Sequence, residues 1–155
     1  MMQAPAATQP LDPSAAHTLA AQVGAAMFAA DAASRQTMGM ELLYCEPGRA
    51  ALRMMVTEAH LNGHKICHGG FIFTLADSTF AFACNSHNKV AVAAGASIEF
   101  LRPAHVGDLL TCDGVEQTLQ GRHGVYDMKV TNQRGQVVAM FRGKSAQIAG
   151  TVLAQ

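Results

Sequence analysis

Two features of this sequence could do chemistry together. One is the Gly69-Gly70 pair, where a polar stretch gives way to a long apolar one; the other is Asp77, eight residues on. Between Lys65 and Lys89, Asp77 is the sole side chain charged at neutral pH when histidine is neutral. A carboxylate among apolar neighbours loses hydration on ionising, so its pKa rises, which suits acid–base or nucleophilic work. Glycines at a helix start let a ligand oxygen approach free backbone N–H groups at the positive end of the helix dipole. Together they describe an oxyanion site and an acid. As one continuous helix, however, eight residues span about 12 Å, too far for one carbonyl to meet both. Two antiparallel copies of the helix would solve this, with Gly69 of one chain facing Asp77 of the other about a two-fold axis. The spacing therefore predicts a homodimer with shared active sites.

The element that must carry both residues is predicted from about Gly69 to Ser86. Phe71, Phe73, Leu75, Phe80 and Phe82 leave it apolar nearly all round, the mark of a buried helix. Thr74, Asp77 and Ser78 recur at three- and four-residue spacing and form one narrow polar stripe. A solvent-facing stripe would carry Lys, Glu or Arg; this one carries only short side chains and is expected to face a cleft or another subunit. Likewise, glycines that only shape the turn are the plainer reading of Gly69-Gly70, set aside because of Asp77.

Around that helix the chain reads as α+β. Asp12-Pro13 supplies a helix cap and first position for an Ala-rich helix to about Ser34. Residues 40–46 and 50–57 are strand-like and joined by E-P-G-R, which suits a type II turn. Four further strands are expected over 90–101, 109–119, 124–132 and 136–148, separated by Gly-rich turns. One antiparallel sheet wrapped around one long central helix satisfies this order. A single domain over residues 14–150 is expected, with tails at 1–13 and 151–155.

Composition excludes several function classes. Half of the residues are hydrophobic and 14% are charged, so some apolar surface should be buried between subunits. Lys plus Arg and Asp plus Glu are balanced at 11 each with no basic run, which argues against nucleic acid. No stretch of eighteen apolar residues supports a membrane span, and the Ala/Pro/Gln-rich beginning lacks the charged start of a signal peptide. Cys45, Cys67, Cys84 and Cys112 are scattered, which fits the reducing cytoplasm.

The run N-G-H-K-I-C-H-G-G-F-I-F-T-L-A-D at 62–77, with I-E-F-L-R-P-A-H-V-G-D and F-R-G-K-S later, resembles the hotdog-fold acyl-CoA thioesterases of the phenylacetic acid degradation (PaaI) type. The likeness covers about 24–150. It implies a hotdog fold, dimers paired into a homotetramer, and hydrolysis of aryl or arylacetyl thioesters of coenzyme A in phenylacetate catabolism. By position, Asp77 matches the family's acid and Gly69 the N–H that polarises the thioester carbonyl. Asn62 matches the amide that places water or carboxylate, and His68 a residue beside the site. Relatives often carry Ser or Thr four residues after the acid or on the next strand; here those positions are Ala81 and Ala93 or Ala94, with Ser97 nearby.

No cofactor is implied, since coenzyme A is part of the substrate. Its phosphates call for cations, and Arg102, Arg142 and Lys144 are the candidates at strand ends. Two rival readings stand beside hydrolysis. His60, His64, Cys67 and His68 fall within nine residues and include zinc-ligand types, but their spacing matches no closed site. Hotdog proteins also include dehydratases and non-hydrolytic acyl-CoA-binding modules.

Overall fold

The computed structural model describes residues 12–154. The tail expected before the first helix thus lies outside the described residues as far as Leu11. Helix α1, Pro13–Ala30, begins as its sequence suggests: the Asp12 carboxylate accepts from the Ala15 N–H, and Pro13 takes a position where a backbone N–H is not needed. The helix stops earlier than expected. Asp31 turns its carboxylate onto the Ser34 N–H at 2.9 Å, and residues Ala33–Thr37 continue as one widened π-turn. Periodicity cannot distinguish that local competition from more helix.

Strands β1 (Glu41–Glu46) and β2 (Arg49–Met55) form a hairpin. At its turn Gly48 adopts φ of +70°, as the third residue of a type II turn requires. Helix α2 (Gly69–Asn85) follows, then β3 (Ala91–Phe100), β4 (Leu109–Gln120), β5 (His123–Thr131) and β6 (Val137–Gln147). The strands make one six-stranded sheet in the order β1-β2-β4-β5-β6-β3, antiparallel throughout. The expected sheet wrapped around a long helix is borne out, with strand ends within about two residues of those read from sequence.

Alternation along the strands builds the core. Ala50, Leu52 and Met54 of β2, with Leu110 and Cys112 of β4 and Met128 and Val130 of β5, are buried, while Arg49 and Met55 face outward. Onto this face α2 lays Phe80, whose ring meets Tyr126 at 5.5 Å and Phe141 at 5.9 Å. The approach is close: a Cβ on Gly143 of β6 would lie 2.8 Å from the Phe80 ring, so glycine there lets helix and sheet touch. Burying such aromatics stabilises by about 1.5–3 kcal/mol each.

The C-terminal end of α2 is fixed to β3 by one buried side chain. Asn85 accepts from the Ala91 N–H at 2.9 Å and donates to the Ala91 carbonyl at 3.0 Å. The strand it starts is an outer one, paired on one side with β6, and its Val92–Ser97 stretch is exposed. At the chain end, the Leu153 N–H donates to Asn88 Oδ1 at 2.8 Å, tying residues after 150 back to the α2–β3 link. No helix among the described residues is long and apolar enough to cross a membrane.

Candidate active site

The N-terminus of α2 is shaped by its own cap. The His68 ring Nδ1 accepts from the Gly70 N–H at 2.9 Å, and the His68 carbonyl accepts from the Phe71 N–H at 3.0 Å. With Nδ1 an acceptor, a neutral His68 carries its proton on Nε2. The Gly69 N–H is left without a hydrogen-bond partner among the described residues. An unpaired donor at the positive end of a four-turn helix is suited to a developing oxyanion. A Cβ at Gly69 would lie 3.0 Å from the Phe100 ring, so the donor sits in a slot between helix and β3.

The preceding loop is a folded turn. Asn62 Oδ1 accepts from the His64 N–H at 2.9 Å and the Ile66 N–H at 3.4 Å, and Leu61 bridges Cys67. The amide oxygen is thereby occupied, and the amide nitrogen is what Asn62 can offer to the cavity it lines. That cavity, of about 470 Å³, brings together Asn62, Gly69, Phe100 and Arg102. A second, of about 340 Å³, opens on the other side of the helix start, between the π-turn and Gly70, Phe71 and Thr74. Both fall within the range of small-molecule sites, about 300–1,000 Å³.

Asp77 lies two turns further along α2, half-buried, and desolvation pushes its carboxyl above the usual range. Among the described residues no hydrogen bond offsets that shift. Within one chain it is separated from Gly69 by about 12 Å of helix, as the residue count requires. Phe73, one turn before it, packs on Phe141 at 5.3 Å.

A family model described as the thioesterase superfamily matches residues 64–139. The acyl-coenzyme A thioesterase PaaI of Escherichia coli K12 is 46% identical over 132 residues, 82% of this chain and 90% of that protein. The chain belongs to the PaaI-type acyl-CoA thioesterases. The solved structure of the E. coli PaaI protein, from the phenylacetic acid degradation operon, matches with a TM-score of 0.85 at 43% identity, covering 87% of this chain and 97% of that one. A Streptococcus mutans protein solved bound to acetyl-CoA matches at 29% identity with a TM-score of 0.70, over 72% of this chain and 90% of that one. The hotdog fold and thioester hydrolysis are borne out; nothing supports the dehydratase or binding-module reading.

Set in a PaaI-type thioesterase, the three cations expected to act together are separated. Arg102 lines the cavity of Asn62 and Gly69. Arg142 is on β6 and forks onto Asp127, Nε to Oδ1 at 2.6 Å and Nη2 to Oδ2 at 2.7 Å. Lys144 shares its face, and both border a shallow cavity over β3 residues 94–97. Arg142 thus lies mid-strand and not at a strand end, directly opposite Asp127 of β5, a cross-strand partner that local sequence does not reveal. Ala93, Ala94 and Ser97 are exposed on β3.

The histidines and cysteine of the loop do not converge. His60 is buried against Phe71, its Nδ1 accepts from the Thr57 N–H at 3.2 Å, and burial lowers its pKa. Among the described residues no group of three His, Cys, Asp or Glu side chains is placed to hold a metal. Sequence reasoning missed Phe100 and the π-turn as walls of the site. Phe100 is thirty-one residues from Gly69 and lies beside it only because Asn85 and β6 fix β3.

Proposed function

We propose that this thioesterase hydrolyses aryl or arylacetyl thioesters of coenzyme A, phenylacetyl-CoA and its ring-hydroxylated forms above all, to free acid and coenzyme A in phenylacetate catabolism. The observation that carries the reading is the unpaired Gly69 N–H on the same helix as a desolvated, unpartnered Asp77. The thioester carbonyl accepts from Gly69, and charge developing on its oxygen is stabilised by that N–H and the helix dipole. Asp77 of the facing chain takes a proton from water as it attacks; a carboxylate of raised pKa is a better-matched base than an ordinary one. The Asn62 amide and His68 border the reacting group, and thiolate leaves. Arg102, at the mouth of the cavity, is the favoured contact for coenzyme A phosphate; Arg142 must leave Asp127 to serve, and Lys144 sits with it. No separate cofactor is required.

The open edge of β3 supports a homodimer in which two sheets join and two α2 helices run antiparallel, with two dimers forming a tetramer. Exposed Val92 and Phe100 are the apolar surface such pairing would cover. A cytoplasmic location is supported by four free, buried cysteines, whose thiols burial pushes up to about 11 or 12.

Mixed dimers test mechanism and assembly together. Asp77→Ala chains and Gly69→Pro chains should each be nearly inactive alone. After subunit exchange, followed by native mass spectrometry, thiol release from phenylacetyl-CoA should recover, because each heterodimer keeps one intact site. Exchange without recovery would overturn the shared site.

A further inference from the structure

The π-turn is tied to α2 by a chain of polar groups, buried at Ser34 and half-buried at Asp31 and Ser78, that the proposed reaction does not use. Ser34 is fully buried. Its hydroxyl lies 2.6 Å from Asp31 Oδ2 and 3.0 Å from the Ser78 hydroxyl, and its N–H donates to Asp31 Oδ1 at 2.9 Å. An ionised carboxylate can only accept, so the Ser34 proton goes to Asp31 and Ser78 must donate to Ser34. The direction is therefore fixed, Ser78 to Ser34 to Asp31. Ser78 is the residue after Asp77, so the chain references the turn to the carboxylate's own position on α2.

What the turn does with that reference is form a wall. Ala33, Thr37 and Met38 face Gly70, Phe71 and Thr74 across the cavity of about 340 Å³. The lining is chiefly apolar, and the Thr74 hydroxyl already donates to the Gly70 carbonyl at 2.8 Å. A cavity of about 150 Å³ suffices for benzene, so one of about 340 Å³ is large enough to admit an arylacetyl group. A π-turn is an irregular element whose placement is not set by helix geometry. Here it hangs on Ser34, whose carbonyl also accepts from the Met40 N–H at 2.8 Å.

We propose that Ser34, through Ser78 and Asp31, is a positioning residue for acyl specificity: it fixes the distance between the π-turn and α2, and so the width available to the acyl group. The proposal rests on the arylacetyl-CoA reading above. Losing the link lets the wall drift. A flat rigid ring, which needs both walls in contact, then binds less well, while a slim flexible chain is affected less.

The test compares wild type with Ser34→Ala, Ser78→Ala and Ser78→Thr in steady-state thiol release from phenylacetyl-CoA and hexanoyl-CoA. Ser78 is only half-buried, so its variants give a readout even if Ser34→Ala fails to fold. Both alanine variants should raise KM for phenylacetyl-CoA about threefold to tenfold, the value of one buried hydrogen bond, with kcat nearly kept and hexanoyl-CoA changed less. Ser78→Thr keeps a donor hydroxyl and should restore wild-type KM. Equal effects on both thioesters, no effect, or Ser78→Thr behaving like Ser78→Ala would overturn the proposal while leaving the arylacetyl-CoA reading intact. Failure of the wild type to hydrolyse phenylacetyl-CoA would overturn both.

Discussion

The two ends of α2 differ in how they treat polar groups. At the C-terminal end Asn85 satisfies both backbone groups of Ala91 and donates to the Ala81 carbonyl as well. Ser86 donates to the Ala83 carbonyl and accepts from the Gly48 N–H, while Glu116 accepts from Tyr126 at 2.7 Å and pairs with His87 at 3.0 Å. At the N-terminal end, by contrast, the Gly69 N–H has no partner among the described residues, and midway Asp77 is desolvated without a donor. Paired groups hold the fold; unpaired ones cost stability and are what a substrate can complete. One helix is thus anchored at one end and leaves polar groups unpaired toward the other.

The contrast can be broken first at Asp77. Asp77→Asn should lower kcat for phenylacetyl-CoA about a thousandfold with the circular dichroism spectrum unchanged. A loss below tenfold would remove Asp77 from the chemistry. Asn85→Ala should do the opposite, leaving the α2 N-terminus alone while destabilising by about 3 kcal/mol, because the buried Ala91 N–H and carbonyl lose their partners. A thermal melt should show Tm lower by about 10 °C; an unshifted melt would contradict the anchoring role.

Gly69 separates donor from shape. Gly69→Ala keeps the N–H and crowds Phe100, and should cost about tenfold in kcat/KM. Gly69→Pro removes the donor at a helix position where proline is tolerated, and should cost a further factor of about a hundred. Equal losses would mean that shape alone matters.

The smallest effect is a stability gain. The carboxyl of Asp77 titrates at higher pH in the folded chain than in the unfolded chain, so its ionisation opposes folding as pH rises through the folded value. Asp77→Asn should therefore raise Tm by about 1–2 °C at pH 7 and not at all near pH 3, where both states are protonated. By the same sign, the acid limb of kcat/KM should lie above the usual carboxylate range.

Much of this was legible from residue types and spacing. Apolar residues nearly all round 69–86 marked a buried helix, alternation marked the strands, and counting from Gly69 to Asp77 exposed the distance problem. Groups joined by tertiary contact were not legible. Nothing near Arg142 in sequence announces Asp127, and nothing in D-A-A-S-R-Q-T says that Asp31 will cap Ser34 and widen the helix. The His68 cap lay between, since a histidine before Gly-Gly can be read as a site residue, but its hold on the Gly70 N–H required coordinates.

The Asn85 fork joins α2 to the outer strand β3 through a link of five residues, 86–90. Whatever grips β3 from outside thereby also orients α2. If that grip is a second copy of the chain and the site is shared as proposed, the amount of enzyme in the cell sets the fraction of competent sites by mass action, and dilution lowers turnover without any inhibitor.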